Sequence, residues 1–144
     1  MRMLALFAVL VPLVMPTSGF AEEKPAATLY KTPDCGCCEG YADHLRANGF
    51  AVAVIPSHDL PLIKRQHGVP AQLEGCHTTL VGGYVVEGHV PAAIVMKLLT
   101  DKPKITGISL PGMPEGSPGM PGPKRGPFTV YEIGDGAPRV FAVD

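Results

Sequence analysis

The stretch Ala27-Thr28-Leu29-Tyr30-Lys31-Thr32-Pro33-Asp34-Cys35-Gly36-Cys37-Cys38 decides the fold. Its first five residues are apolar and partly β-branched, which predicts a short strand. Thr32-Pro33-Asp34 supplies a turn. Over residues 37–48 the period changes: Cys38, Tyr41, Ala42 and Leu45 recur at i, i+3, i+4 and i+7, the apolar stripe of a helix, and Asn48-Gly49 ends it. A strand therefore passes into a helix across three cysteines.

Working outward, residues 50–55 (FAVAVI) form a nearly continuous apolar run that predicts a buried strand. Ser57 or Asp59 can cap a second helix reaching His67, with Pro61 in its first turn and Gly68 at its end. Residues 69–75 read as a loop. Residues 77–81 and 84–87 flank Gly82-Gly83, a hairpin signal. Pro91 opens a third helix whose stripe is Ile94, Val95, Leu98 and Leu99. The order βαβαββα describes an α/β fold with a mixed sheet, and matches a thioredoxin-like core by analogy of element order. In residues 107–127 Gly and Pro occupy 12 of 21 positions, which argues against any regular helix or strand there. That segment is either a surface linker or an ordered lid. Residues 128–133 and 139–143, around Gly134-Asp135-Gly136, close the chain as a second hairpin.

Composition limits the function classes. The chain has 144 residues, with 12 Lys and Arg against 13 Asp and Glu, so it lacks the basic excess that nucleic-acid binding requires. The N-terminus reads as a secretory signal over residues 1–21: Arg2 is followed by an apolar run from Leu4 to Met15, and Gly19-Phe20-Ala21 is a small-x-small cleavage site. Residues 22–144 then form one exported domain, periplasmic in a two-membrane cell, with no apolar run of about 20 residues to span a membrane.

Cys35, Cys37, Cys38 and Cys76 are the four cysteines. At a strand-to-helix junction, free backbone N–H groups and the helix dipole favour thiolate, which is both nucleophile and metal ligand. Three readings are open. Export and an even count allow two ordinary disulfides, although adjacent Cys37 and Cys38 make the pairing strained. Cys35 and Cys38 are spaced as a C-x-x-C redox dithiol, with Cys37 as an intruding third thiol. In a thioredoxin-like arrangement the start of the third strand approaches the start of the first helix, so Cys76 would join the other three as soft metal ligands. Adjacent cysteines diverge, which suits several bridged Cu(I) ions better than one tetrahedral zinc. His77 and His89 are weaker candidates, as ligands or as supports for them; strand alternation argues against His77 sharing a site with Cys76. Met113 and Met120 are soft thioethers that could ligate copper, and serve more simply as apolar plugs.

The strings Lys31-Thr32-Pro33-Asp34-Cys35-Gly36-Cys37-Cys38, Gly49-Phe50, Gly68-Val69-Pro70, Cys76-His77-Thr78, Gly82-Gly83-Tyr84, Glu87-Gly88-His89-Val90-Pro91 and Pro111-Gly112-Met113-Pro114-Glu115-Gly116-Ser117-Pro118-Gly119-Met120 resemble, in this order, the CopG-like family of exported copper-resistance proteins. The resemblance covers residues 28–143. It implies a thioredoxin-like periplasmic domain that binds copper through Cys35, Cys37, Cys38 and Cys76, beside efflux or copper-oxidase components of the cell envelope. The reading that follows is a protein that sequesters or relays Cu(I) in a small multinuclear site. An enzyme using the same cysteines, a thiol or copper oxidoreductase, is its rival.

Overall fold

A computed structural model describes residues 23–144; the signal segment read over residues 1–21 lies outside the described residues. The element order is β1 (Ala26–Lys31), α1 (Gly36–Ala47), β2 (Ala51–Pro56), α2 (Leu60–Gln66), a 3-10 turn (Ala71–Leu73), β3 (His77–Val81), β4 (Tyr84–Glu87), α3 (Ala92–Asp101), β5 (Gly107–Ser109), β6 (Thr129–Ile133) and β7 (Val140–Val143). Through α3 this is the βαβαββα order that periodicity predicts. One seven-stranded mixed sheet, ordered β2-β1-β3-β4-β5-β6-β7, carries everything. The β1–β2 and β4–β5 pairs are parallel and the others antiparallel.

The main core lies on one face, where Leu29 of β1 and Val86 of β4 meet Cys38, Tyr41 and Leu45 of α1 and Val95 and Leu98 of α3. Each such buried aliphatic contributes about 1.5–3 kcal/mol relative to exposure. Strand residues alternate faces, so Val85 turns the other way and packs with Val69, Leu73 and Ile133 in a smaller cluster. The side chain of Lys64 in α2 reaches Thr78 and Glu87, which face each other across β3 and β4.

Two expectations fail. The FAVAVI run is not a buried strand: β2 is the sheet edge, Ile55 is 41% exposed, and only Phe50, just before it, is buried. An apolar run reports hydrophobic side chains but cannot report which strands flank it. The Gly/Pro-rich segment also contains a strand, since Gly107–Ser109 is inserted between β4 and β6. Glycine makes this possible: a Cβ on Gly107 would fall 1.9 Å from the Val85 carbonyl oxygen. The closing hairpin is thereby continuous with the sheet.

Candidate metal centre

Residues 32–35 turn tightly between β1 and α1, with the Cys35 N–H donating to the Thr32 carbonyl at 3.1 Å. Lys31, 3% exposed, holds this turn from beneath. Its Nζ donates to the carbonyls of Thr32, Pro33 and Cys35 at 3.3, 2.9 and 3.3 Å and pairs with Glu39 at 3.2 Å. Cys35 thus sits on a turn clamped by a buried cation and caps α1, and Cys37 and Cys38 follow in the first turn of the helix.

Cys35 and Cys38 are joined as a disulfide, closing the C-x-x-C ring, while Cys37 and Cys76 are free. Cys37 Sγ stands 3.5 Å from Cys35 Sγ and 3.9 Å from Cys76 Sγ, and Cys38 Sγ stands 3.7 Å from Cys76 Sγ. All four sulfurs converge, with Cys76 arriving from the loop before β3. Because Cys76 precedes the strand, the alternation that argued against its sharing a site with His77 does not apply. His77 Nδ1 lies 3.3 Å and His89 Nε2 2.9 Å from Cys76 Sγ, so both histidines belong to the cluster. Cys76, His77 and His89 form a second potential ligand set sharing its sulfur with the first.

The two histidines are held differently. His89 Nδ1 meets the Pro118 carbonyl at 2.6 Å, and a carbonyl only accepts, so Nδ1 carries the proton and Nε2 presents a lone pair to Cys76. His77 is fully buried against the Tyr41 ring, centroids 4.5 Å apart, and its Nε2 has no hydrogen-bond partner. Its Nδ1 is the nitrogen beside the Cys76 thiol, and an imidazole nitrogen next to a thiol sulfur suits a soft or borderline metal ion. Tyr41 is itself fixed by donating its hydroxyl to the Val90 carbonyl at 2.9 Å.

Burial governs the protonation states. The Cys76 thiol is pushed up to about 12, first by desolvation and then by the neighbouring Cys37, with Lys64 pulling weakly the other way. Helix-start stabilisation, expected to favour thiolate across the cluster, does not reach this residue, which lies off the helix. His77 is held well below 6.5 by burial and then by His89 and Lys64, and burial also lowers His89. Without metal, Cys76 is therefore held as a neutral thiol and His77 and His89 as neutral imidazoles, and a cation bound at Cys76 replaces its proton.

The Gly/Pro-rich segment is an ordered strap. Ser117 is buried, donates to the Pro114 carbonyl at 2.7 Å, and the Met120 N–H returns to the Ser117 carbonyl at 2.8 Å. Gly119 lies directly on the first turns of α1, where a Cβ would fall 2.5 Å from the Tyr41 nitrogen and 2.7 Å from the Cys37 oxygen. Met113 is 55% exposed and plugs nothing, contrary to expectation; Met120 is partly buried in the turn. Pro118, Lys31, Lys64 and Glu87 are site-supporting residues that the sequence did not single out. A lysine and a glutamate at positions patterned for burial were the available signal for the last two.

Fold and site together define a class: a mixed α/β domain whose strand–helix junction gathers cysteine and histidine side chains within ligand reach of one another. A family model described as "Protein of unknown function, DUF411" matches residues 73–120. Two solved structures described as "Copper resistance protein copG", Form 2 and Form 1, are each 38% identical, with a TM-score of 0.78. Each covers 85% of this chain, and 99% and 98% of the respective solved chain. No curated protein matches the sequence. The chain belongs to the CopG-like family. Its fold agrees with that of the family, and its cysteine cluster with a role involving copper.

Proposed function

We propose that residues 22–144 form an exported, periplasmic, thioredoxin-like protein that sequesters or relays Cu(I), contributing to copper resistance. Cys35, Cys37, Cys38 and Cys76 are its ligands, His77 and His89 add nitrogen donors, and copper exchanges with efflux or copper-oxidase components of the envelope. The observation that carries this reading is Cys76: a thiol 39 residues from Cys37 stands within 3.9 Å of both Cys37 and Cys38. Four soft donors at bridging separations favour Cu(I), in more than one copy, over a single tetrahedral zinc. No helix among the described residues is long and apolar enough to cross a membrane.

Four-thiolate binding requires the Cys35–Cys38 disulfide to open by exchange with an external dithiol, which is oxidised to its own disulfide as Cys35 and Cys38 become thiols. That disulfide, flanked by free Cys37, is the specific support for the rival reading, a thiol or copper oxidoreductase. One experiment separates them. The mature chain is reduced and stripped anaerobically, its thiols are counted, and Cu(I) is titrated in. Retained copper, with more than one ion per chain, is the expected result; copper at trace level beside robust disulfide-reductase turnover overturns the binding reading.

A further inference from the structure

Beneath the cluster lies a charged network that copper binding by the cysteines does not itself call for. Glu87, at the end of β4, is fully buried, and Lys64 is 4% exposed. Glu87 Oε1 accepts the Gly75 N–H at 2.7 Å and is paired with Lys64; Oε2 accepts the Thr78 hydroxyl at 2.7 Å; Lys64 Nζ donates to Thr78 Oγ1 at 3.2 Å. Every contact is internal. A buried ion pair is poor value for stability, since the desolvation of two charges offsets their attraction, and well-packed apolar residues would serve as well. Stability therefore does not account for Glu87.

Its partner Gly75 does. Gly75 directly precedes Cys76, and both lie before the first residue of β3. The loop is pressed so closely on the end of β4 that a Cβ on Gly75 would fall 2.7 Å from the Gly88 Cα. The Glu87 carboxylate therefore holds the Glu74–Gly75 peptide group, one residue ahead of the one thiol that comes from outside the C-x-C-C segment.

We propose that Glu87, braced by Lys64 and Thr78, is the positioning residue of the metal centre: it fixes the Gly75–Cys76 backbone so that Cys76 Sγ meets Cys37, Cys38 and His89. Supports behind a ligand typically change metal affinity about 10- to 100-fold. This inference rests on the four-cysteine reading above.

The test is anaerobic competition of the reduced mature chain for Cu(I) against a chromophoric chelator, with alkylation rates of Cys76 and Cys37 read by mass spectrometry on the metal-free protein. Glu87→Asp keeps the charge opposite Lys64 but is one methylene too short for the Gly75 N–H. It should weaken copper binding about 10- to 100-fold and accelerate labelling of Cys76 but not Cys37. Lys64→Met/Glu87→Gln removes both charges while keeping an acceptor of the original reach, and should rescue both readouts. Wild-type copper affinity in Glu87→Asp, or a double variant as impaired as Glu87→Asp, overturns the proposal. Should Glu87→Asp not fold, Lys64→Met/Glu87→Leu replaces it, and equal affinities of the two double variants overturn it. Cys76→Ser runs alongside. If Cys76→Ser binds copper like the wild type, the four-cysteine reading itself falls; if it loses copper while Glu87→Asp does not, only the positioning role falls.

Discussion

The Nε2 atom of His89 points its lone pair at Cys76 Sγ from 2.9 Å. The other nitrogen of the same ring is bonded to the Pro118 carbonyl, so the strap over α1 determines which nitrogen His89 offers the site. Sulfur, imidazole and strap form one mechanical chain.

Loosening the strap should therefore loosen copper. Gly119→Val places a branched side chain where even a Cβ meets the α1 backbone within 2.5 Å, and deletion of residues 110–122 removes the Pro118 carbonyl altogether. Copper transfer to a competing chelator should accelerate about tenfold in both. Stopped-flow transfer rates equal to those of the wild type would return the segment to the role of a plain linker.

Thiol content should depend on redox history. The structure has one disulfide and two free thiols, so an aerobically prepared, unfolded chain should show two reactive thiols before reduction and four after. Cu(I) capacity should rise with that step. Equal capacity before and after reduction would exclude Cys35 and Cys38 from the ligand set.

Acid should destabilise the metal-free protein. His44 Nε2 accepts the Ala92 N–H at 3.1 Å at the start of α3, and burial lowers the His44 pKa. His77 is lowered further by burial, and His89 is lowered too. The unfolded chain thus binds more protons than the folded one below pH 6.5, the ordinary histidine value. Their stabilisation is complete above that pH and is lost as the pH falls toward the folded-state values. The urea midpoint should drop between about pH 7.5 and pH 5, and drop less in His44→Gln, which accepts the same bond without titrating. A flat midpoint would contradict this.

Lys31 should matter for the turn rather than for charge. Lys31→Met leaves the Thr32, Pro33 and Cys35 carbonyls without their donor, at a cost of about 2–3 kcal/mol in a denaturant titration. Its partner Glu39 is 53% exposed, so Glu39→Gln should cost under about 0.5 kcal/mol. Equal losses from the two would show that the ion pair, not the carbonyl clamp, stabilises the loop.

Export should leave a defined end. Intact-mass measurement of protein from the periplasmic fraction should give a chain beginning at Glu22. A full-length mass with Met1 retained would refute the signal segment.

The element order through α3 was legible because helices and strands announce themselves by period, and Gly82-Gly83, Asn48-Gly49 and Pro91 punctuate them. The convergence of the four cysteines was legible because three of them share a helix start and element order places Cys76 nearby. What stayed hidden depends on contacts made across the sheet. The edge position of β2 follows from which strands pair, and β5 from the absence of a side chain at Gly107, neither of which leaves a local pattern. The place of His77 in the site turned on whether Cys76 lies in β3 or one residue before it. The bonds from Pro118 and Gly75 use backbone atoms, which every residue carries.

One consequence of β5 concerns how the strap is hinged. Its 19 residues leave from Ser109 and return at Thr129, on strands that are immediate neighbours in the sheet, Ser109 standing opposite Tyr131. It is a handle with both ends bolted to the same plate. Such a handle can lift its middle off α1 while its ends, Leu110 and Phe128, stay buried and bonded to Glu87 and Asp144. Away from Pro118 and Gly119 it can also be lengthened, since doubling a loop's length costs only about 0.6 kcal/mol in closure entropy. Access to the cysteine and histidine cluster can therefore be retuned, by evolution or by design, without touching the residues of the cluster.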